Sequence, residues 1–164
     1  MVKKYVLGLA MAASLFSGAV ARADQPSYLV VGAGTWETLR DNFRKAEVDV
    51  DYRFGDEIFW KLRPHVGVLI AGDGDYYAYG GFVADFKLAE HIILTANTAI
   101  GGYGGGGYNL GSHFEFRNGG DIAYQFDNKW RIGVGFYHIS NAGITRENGG
   151  SESALVQISA PMPW

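Results

Sequence analysis

Apolar and polar residues change places one by one along most of this chain. The clearest run is Ala46-Glu47-Val48-Asp49-Val50-Asp51-Tyr52-Arg53-Phe54, which alternates without a fault. That is the period-2 signature of a strand with two unlike faces. Residues 60–68 repeat it, with Pro64 the one blemish for a strand interior. Tyr76, Ala78, Gly80, Phe82, Ala84, Phe86 and Leu88 then share a face, as do Ile92, Leu94, Ala96, Thr98 and Ile100. Phe114 and Phe116 open a sixth stripe that Ile122, Tyr124 and Phe126 resume. Trp130, Ile132, Val134 and Phe136 make the seventh, and Ala154, Val156 and Ile158 the eighth. The first strand falls near 28–36, where the two faces look alike.

The connections carry information too. Tight turns are expected at Asp56-Glu57, at 89–91 and at 127–129, with longer links near 35–44, 71–75, 101–111 and 141–151. Short and long alternate, the layout of a transmembrane barrel with short periplasmic turns and longer external loops. The expected fold is therefore all-β, an eight-stranded antiparallel up-and-down transmembrane β-barrel. A water-soluble barrel of the lipocalin type also has eight strands, with its apolar face turned inward. Alternation alone does not tell inside from outside. Aromatic residues near the stripe ends (Trp60, Tyr76, Trp130) and the terminal Trp164 favour the membrane version, while Pro161 and Pro163 weaken that terminal feature.

Composition narrows the picture. The 164 residues include 24 glycines, 24 aromatics and no cysteine, which leaves room for one domain and excludes a disulfide framework or a thiolate metal site. Charged residues are 19% and hydrophobic ones 48%, too apolar for disorder. No uninterrupted apolar run is long enough for a membrane helix. Residues 1–23 read as a signal peptide: Lys3 and Lys4, a short apolar stretch, then Ala21-Arg22-Ala23 as cleavage site. The barrel is then 24–164. Cleavage removes three of the 14 basic residues and none of the 17 acidic ones, taking the net charge from −3 to about −6. That balance argues against nucleic acid as a partner.

Three polar residues stand on the apolar stripes. Above Phe136 the seventh stripe continues through His138 and Ser140, and Glu152 is in phase with Ala154, Val156 and Ile158. Polar groups facing hydrocarbon are costly. Residues two apart on a strand lie roughly 6.5–7 Å apart, so an imidazole reaches the neighbouring hydroxyl. If Ser140 and Glu152 face one another, Glu152 is diagonal to His138, at about 7–8 Å. Ser140 would be nucleophile, His138 base and Glu152 the orienting carboxylate. The bland alternative is a polar patch where the strand meets headgroups and water. Counted from a periplasmic N-terminus, the seventh strand runs outward, so the three residues sit at its external end, beside the lipopolysaccharide leaflet.

Phe136-Tyr137-His138-Ile139-Ser140-Asn141-Ala142-Gly143, followed by Asn148-Gly149 and Glu152, resembles the signature of the outer-membrane lipid A 3-O-deacylases, the PagL family. Residues 110–117 (Leu-Gly-Ser-His-Phe-Glu-Phe-Arg) resemble it as well. The motifs cover about residues 110–158. The resemblance implies an outer-membrane esterase that removes the 3-position hydroxyacyl chain of lipid A without metal or cofactor. By it, Ser140, His138 and Glu152 match the triad, and Asn141 and Gly143 the oxyanion hole. Lipid A and the outer membrane are the partners it implies, and a homodimer is compatible with it. The proline-bearing C-terminus and the glycine-rich 101–107 segment depart from the pattern.

Rival functions are a non-catalytic small barrel, structural or adhesin-like, and a soluble periplasmic lipid carrier. Residues 102–107 fit G-x-G-x-x-G but open no helical pattern, so a dinucleotide site is not supported. His65 and His113 fall on polar faces and His91 in a turn, with no metal-ligand spacing. G-x-S-x-G is absent.

Overall fold

The computed structural model describes residues 25–72 and 74–162. The expected signal peptide, and the terminal Pro163 and Trp164, lie outside the described residues. Eight strands run in order: β1 Ser27–Trp36, β2 Lys45–Arg53, β3 Arg63–Ala71, β4 Tyr76–Lys87, β5 Ile92–Gly104, β6 Phe114–Gln125, β7 Arg131–Ser140 and β8 Ser151–Met162. Each pairs antiparallel with the next, and β8 returns to β1 to close the barrel. Closure leaves no unpaired edge, which a bilayer without hydrogen-bonding solvent demands.

The barrel also decides inside from outside. In β2, Glu47, Asp49, Asp51 and Arg53 point inward and are buried, while Val48 and Val50 face out. Val66, Val68 and Ile70, Ile132, Val134 and Phe136, and Val156 and Ile158 are likewise exposed on the outer wall. An apolar exterior around a polar interior suits hydrocarbon. The inside-out arrangement of a soluble lipid carrier is absent.

Most of the inward charges are paired with one another, as burial favours, while Glu47 and Glu115 make no ion pair among the described residues. Arg53 reaches Asp51 at 3.0 Å and Asp121 at 2.8 Å. Arg63 and Arg131 share Asp85 at 2.8 and 2.7 Å. Arg117 meets Asp49 at 3.2 Å and lies 3.6 Å from the Tyr137 ring centre. Two glycines make room for the large inward rings. A Cβ on Gly67 would stand 2.4 Å from the Tyr79 ring, and one on Gly135 would stand 2.7 Å from Tyr137. Toward the end bearing the β7–β8 connection the lumen turns apolar. Trp36, Leu69, Tyr77, Tyr79, Tyr103 and Ile139 pack there with Leu110, which descends from the β5–β6 connection.

Two expected connection lengths need correction. The β2–β3 link is not a tight turn at Asp56-Glu57 but spans 54–62. Trp60 and Lys61 adopt positive φ (35° and 58°), and Phe59 bridges Leu62, so a miniature hairpin replaces the expected start of the third strand. The β3–β4 link, expected to be long, spans only 72–75, closed by Ala71 N–H donating to Asp75 C=O at 2.8 Å. Strict alternation of short and long therefore fails at this pair. The connections 37–44, 105–113 and 141–150 remain long and crown one end, the external end by the usual outer-membrane layout.

The lumen network yields a stability test. Arg53→Ala leaves Asp51 and Asp121 without their shared cation, at a cost of about 3–5 kcal/mol. Urea unfolding of the barrel from lipid vesicles should show a midpoint shifted down accordingly. An unchanged midpoint would mean that the pairs are not what holds the lumen.

Candidate active site

The site grows from β-ladder register. His138 on β7 stands directly across from Glu152 on β8. The expected diagonal arrangement, with Ser140 facing Glu152, is thus shifted by two residues, because Ile139 takes Ser151 as its partner and not Ser153. The direct pairing is the shorter one, and His138 Nδ1 lies 3.2 Å from Glu152 Oε1. The imidazole side chain is 48% exposed on the outer wall and the carboxylate only 14%, so the imidazole faces the bilayer with the carboxylate tucked behind it. The ring also lies over Gly150. A Cβ there would stand 3.1 Å from His138 Cε1 and 3.6 Å from Nε2, and Gly150 has the left-handed φ of 62° that favours glycine. With Nδ1 turned to Glu152, Nε2 has no hydrogen bond among the described residues. Ser140 shares the His138 face by its i+2 spacing and is half-buried. Among the described residues no hydrogen bond joins Ser140 Oγ to His138, which is common before substrate tightens such a site.

The two residues matched to an oxyanion hole shape the connection after β7. The buried Asn141 donates through Nδ2 to the carbonyls of Leu110 (3.3 Å) and Glu147 (2.8 Å) and to Thr145 Oγ1 (3.0 Å). Its Oδ1 accepts the Gly143 N–H at 2.9 Å, and its own N–H donates to Asn148 Oδ1 at 3.1 Å. Ala142 and Gly143 take positive φ, 54° and 79°. Among the described residues, the Ala142 N–H has no acceptor in this turn.

Further polar residues join the row. Asn118 on β6 pairs with His138, and Thr98 on β5 pairs with Asn118. Thr98 Oγ1 donates to Asn118 Oδ1 at 2.9 Å, so the Asn118 amide nitrogen is aimed away from it. Thr98, Asn118, His138 and Glu152 therefore form one lateral line across four strands of the outer wall. Below it a groove of about 480 Å³ opens along β5, β6 and β7, floored by Ala96 and Gly120 and walled by Leu94, Ile122, Val134 and Phe136. The sequence did signal Asn118, as the two-place gap between Phe116 and Ile122 in the sixth stripe.

Behind Glu152 stands a residue that the sequence did not single out. Arg40, in the β1–β2 connection, donates to Glu37 Oε2 (2.5 Å) and to the carbonyls of Gly150 (2.8 Å) and Gly149 (2.6 Å). Burial pushes the Glu37 carboxyl above the usual carboxylate range, and the hydrogen bond from Arg40 pulls the other way. Nothing in a polar loop sequence marks such a residue.

Fold and site together define a class: a small transmembrane barrel with hydrolase-type side chains on its lipid-facing wall. The chain belongs to the lipid A 3-O-deacylase (PagL) family, whose family model matches residues 45–161, from the start of β2 nearly to the end of β8. It is an outer-membrane barrel of that enzyme family. Among solved structures it is similar to the crystal structure of the outer membrane enzyme PagL. The two are 20% identical, the match covers 82% of this chain and 99% of the other, and the TM-score is 0.62. It is also similar to a de novo designed transmembrane β-barrel, at 12% identity, 82% and 95% coverage and a TM-score of 0.57. At these identities both likenesses concern the fold. No curated protein matches the sequence.

Proposed function

We propose that this chain, exported with residues 1–23 removed, is an esterase that releases the 3-O-linked hydroxyacyl chain of lipid A. The observation that carries the reading is the His138–Glu152 pair, set beside Ser140 on the hydrocarbon-facing wall at its external end. Ser140 Oγ adds to the ester carbonyl carbon as its proton passes to His138 Nε2. Glu152, hydrogen-bonded at Nδ1, fixes the ring and stabilises the imidazolium. The bond from the carbonyl carbon to the sugar oxygen then breaks, and the sugar oxygen takes the proton back. Water adds to the acyl-Ser140 carbonyl carbon as its proton passes to His138, the bond from that carbon to Ser140 Oγ breaks, Oγ takes the proton back, and the free 3-hydroxy acid departs. In the 141–143 turn the uncommitted Ala142 N–H is the donor left for the oxyanion, and Asn141 and Gly143, whose own N–H groups go to Asn148 Oδ1 and Asn141 Oδ1, shape the turn that presents it. No step needs a metal. The groove below the polar row takes the acyl chain.

Mass spectrometry of lipid A from an expressing host tests the chemistry. Wild type should yield the deacylated species, and Ser140→Ala should lose activity by about 10³-fold or more. Identical profiles from the two would sink the esterase reading and leave a non-catalytic barrel.

Activity should also fall on acidification, in step with protonation of His138, because imidazolium cannot accept the serine proton. A rate that stays flat while NMR shows His138 titrating would remove it as the base.

For the groove, Ala96→Phe adds a ring to the floor from an exposed position. Hydrolysis of the long-chain lipid A ester should drop about tenfold, with a short p-nitrophenyl ester unaffected. Equal losses on both substrates would place the acyl chain elsewhere.

A further inference from the structure

Glu152 has two carboxylate oxygens, and they face different partners. Oε1 meets His138, while Oε2 lies 3.9 Å from Arg40 Nη1. Arg40 arrives from a connection distant in sequence and is held from several sides. Besides Glu37 and the carbonyls of Gly149 and Gly150, its guanidinium lies 4.8 Å over the Tyr108 ring. The same connection grips β8 through Thr38 N–H, which donates to Glu152 C=O at 2.9 Å. The result is a chain of opposite charges and donors, Glu37–Arg40–Glu152–His138, running from the barrel rim to the outer wall.

We infer that Arg40 is a positioning residue for the hydrolytic site, acting on His138 through Glu152 and Gly150. This rests on the esterase reading above. Two effects follow from its place. Its bidentate hold on the Gly149 and Gly150 carbonyls fixes the backbone against which the imidazole rests, and an imidazole displaced by about 1 Å costs on the order of 10²-fold in rate. Its charge also balances that of Glu152, which would otherwise favour the imidazolium and take His138 out of use as a base at moderately acidic pH. The groups that face the pair are few: Asn118 from β6, neutral; Arg40, and behind it Glu37, from the β1–β2 connection; and Tyr108 against Arg40. Glu147, in the β7–β8 connection, is hydrogen-bonded by Asn109 Nδ2.

The test uses the full-length barrel, refolded and checked by heat-modifiable migration, with Arg40→Gln, Arg40→Lys and Arg44→Gln beside wild type. Arg44 braces the same connection by donating to Thr38 C=O and has no contact with Glu152, so its variant reports mere loosening of the loop. Rates on lipopolysaccharide are measured against pH, and His138 is titrated independently by NMR. Arg40→Gln should lower kcat about 10- to 100-fold and move the acid limb of the profile up by roughly half a pH unit. Arg40→Lys should restore the acid limb but not kcat, since an ammonium keeps the charge and loses the fork. Arg44→Gln should leave the limb where it is. An Arg40→Gln limb and His138 titration both identical to wild type would overturn the inference, as would an equal shift in Arg44→Gln. Were wild type inactive, the esterase reading would fall, and the NMR titrations would still decide whether Arg40 acts on His138.

Discussion

Everything in this protein depends on a strand's inability to hide its side chains from both solvents at once. In a closed ladder each residue faces either the lumen or the lipid, and neighbours in sequence face opposite ways. The lumen receives the charges and pairs most of them, Arg53 with Asp51 and Asp121 and Arg117 with Asp49. The wall receives Val, Ile and Phe. A polar side chain on the wall finds support only from the same height on adjacent strands, so register alone gathers Thr98, Asn118, His138 and Glu152 into one line. The site is an outcome of strand pairing, with the connections serving to brace it.

That bracing leads back to the core. The external end of the lumen is filled with aromatic and aliphatic side chains, and Leu110 is fully buried among them. Burying one such side chain is worth about 1.5–3 kcal/mol, enough to fix the β5–β6 connection in place. Its backbone then becomes a platform: the Leu110 carbonyl accepts from Asn141 Nδ2 and from Gly149 N–H. The β7–β8 connection, which carries the 141–143 turn and Gly150, thus inherits its position from hydrophobic packing inside the barrel. Arg40 completes the frame from the opposite side, by way of the Gly149 and Gly150 carbonyls.

Strand number, the faces of the strands and the three polar exceptions were legible because period-2 alternation is a local property that any window of the chain displays. Inside and outside were not, since alternation is symmetric and only the closed barrel shows Asp49 buried and Val48 exposed. Connection lengths misled at 54–62, where Trp60 and Lys61 take left-handed conformations that non-glycine residues rarely advertise. The two-residue shift that sets His138 across from Glu152 was beyond local reading as well, because register depends on how the intervening connection folds. Arg40 and Glu37 were invisible for the deepest reason. The Arg40 contacts that matter to the site, with Gly149, Gly150 and Glu152, lie more than a hundred residues away in sequence, and polar loop residues carry no periodicity from which a departure could be noticed.

The wall is a costly place for a carboxylate, and the arrangement of the pair shows how the cost is met. Glu152 is mostly covered, with His138 on its membrane side and Arg40 on its rim side, whereas the imidazole is about half open to the bilayer. A lipid approaching through the outer leaflet therefore meets the imidazole and a hydroxyl before it meets Glu152 or Arg40. The lumen could not serve instead, since ion pairs and aromatic rings already fill it and a membrane ester would have to leave hydrocarbon to enter. The closed ladder needs no polar group on its outer face, so the few wall positions that break the apolar stripe are held there by support from adjacent strands on one side and by the Arg40 charge on the other.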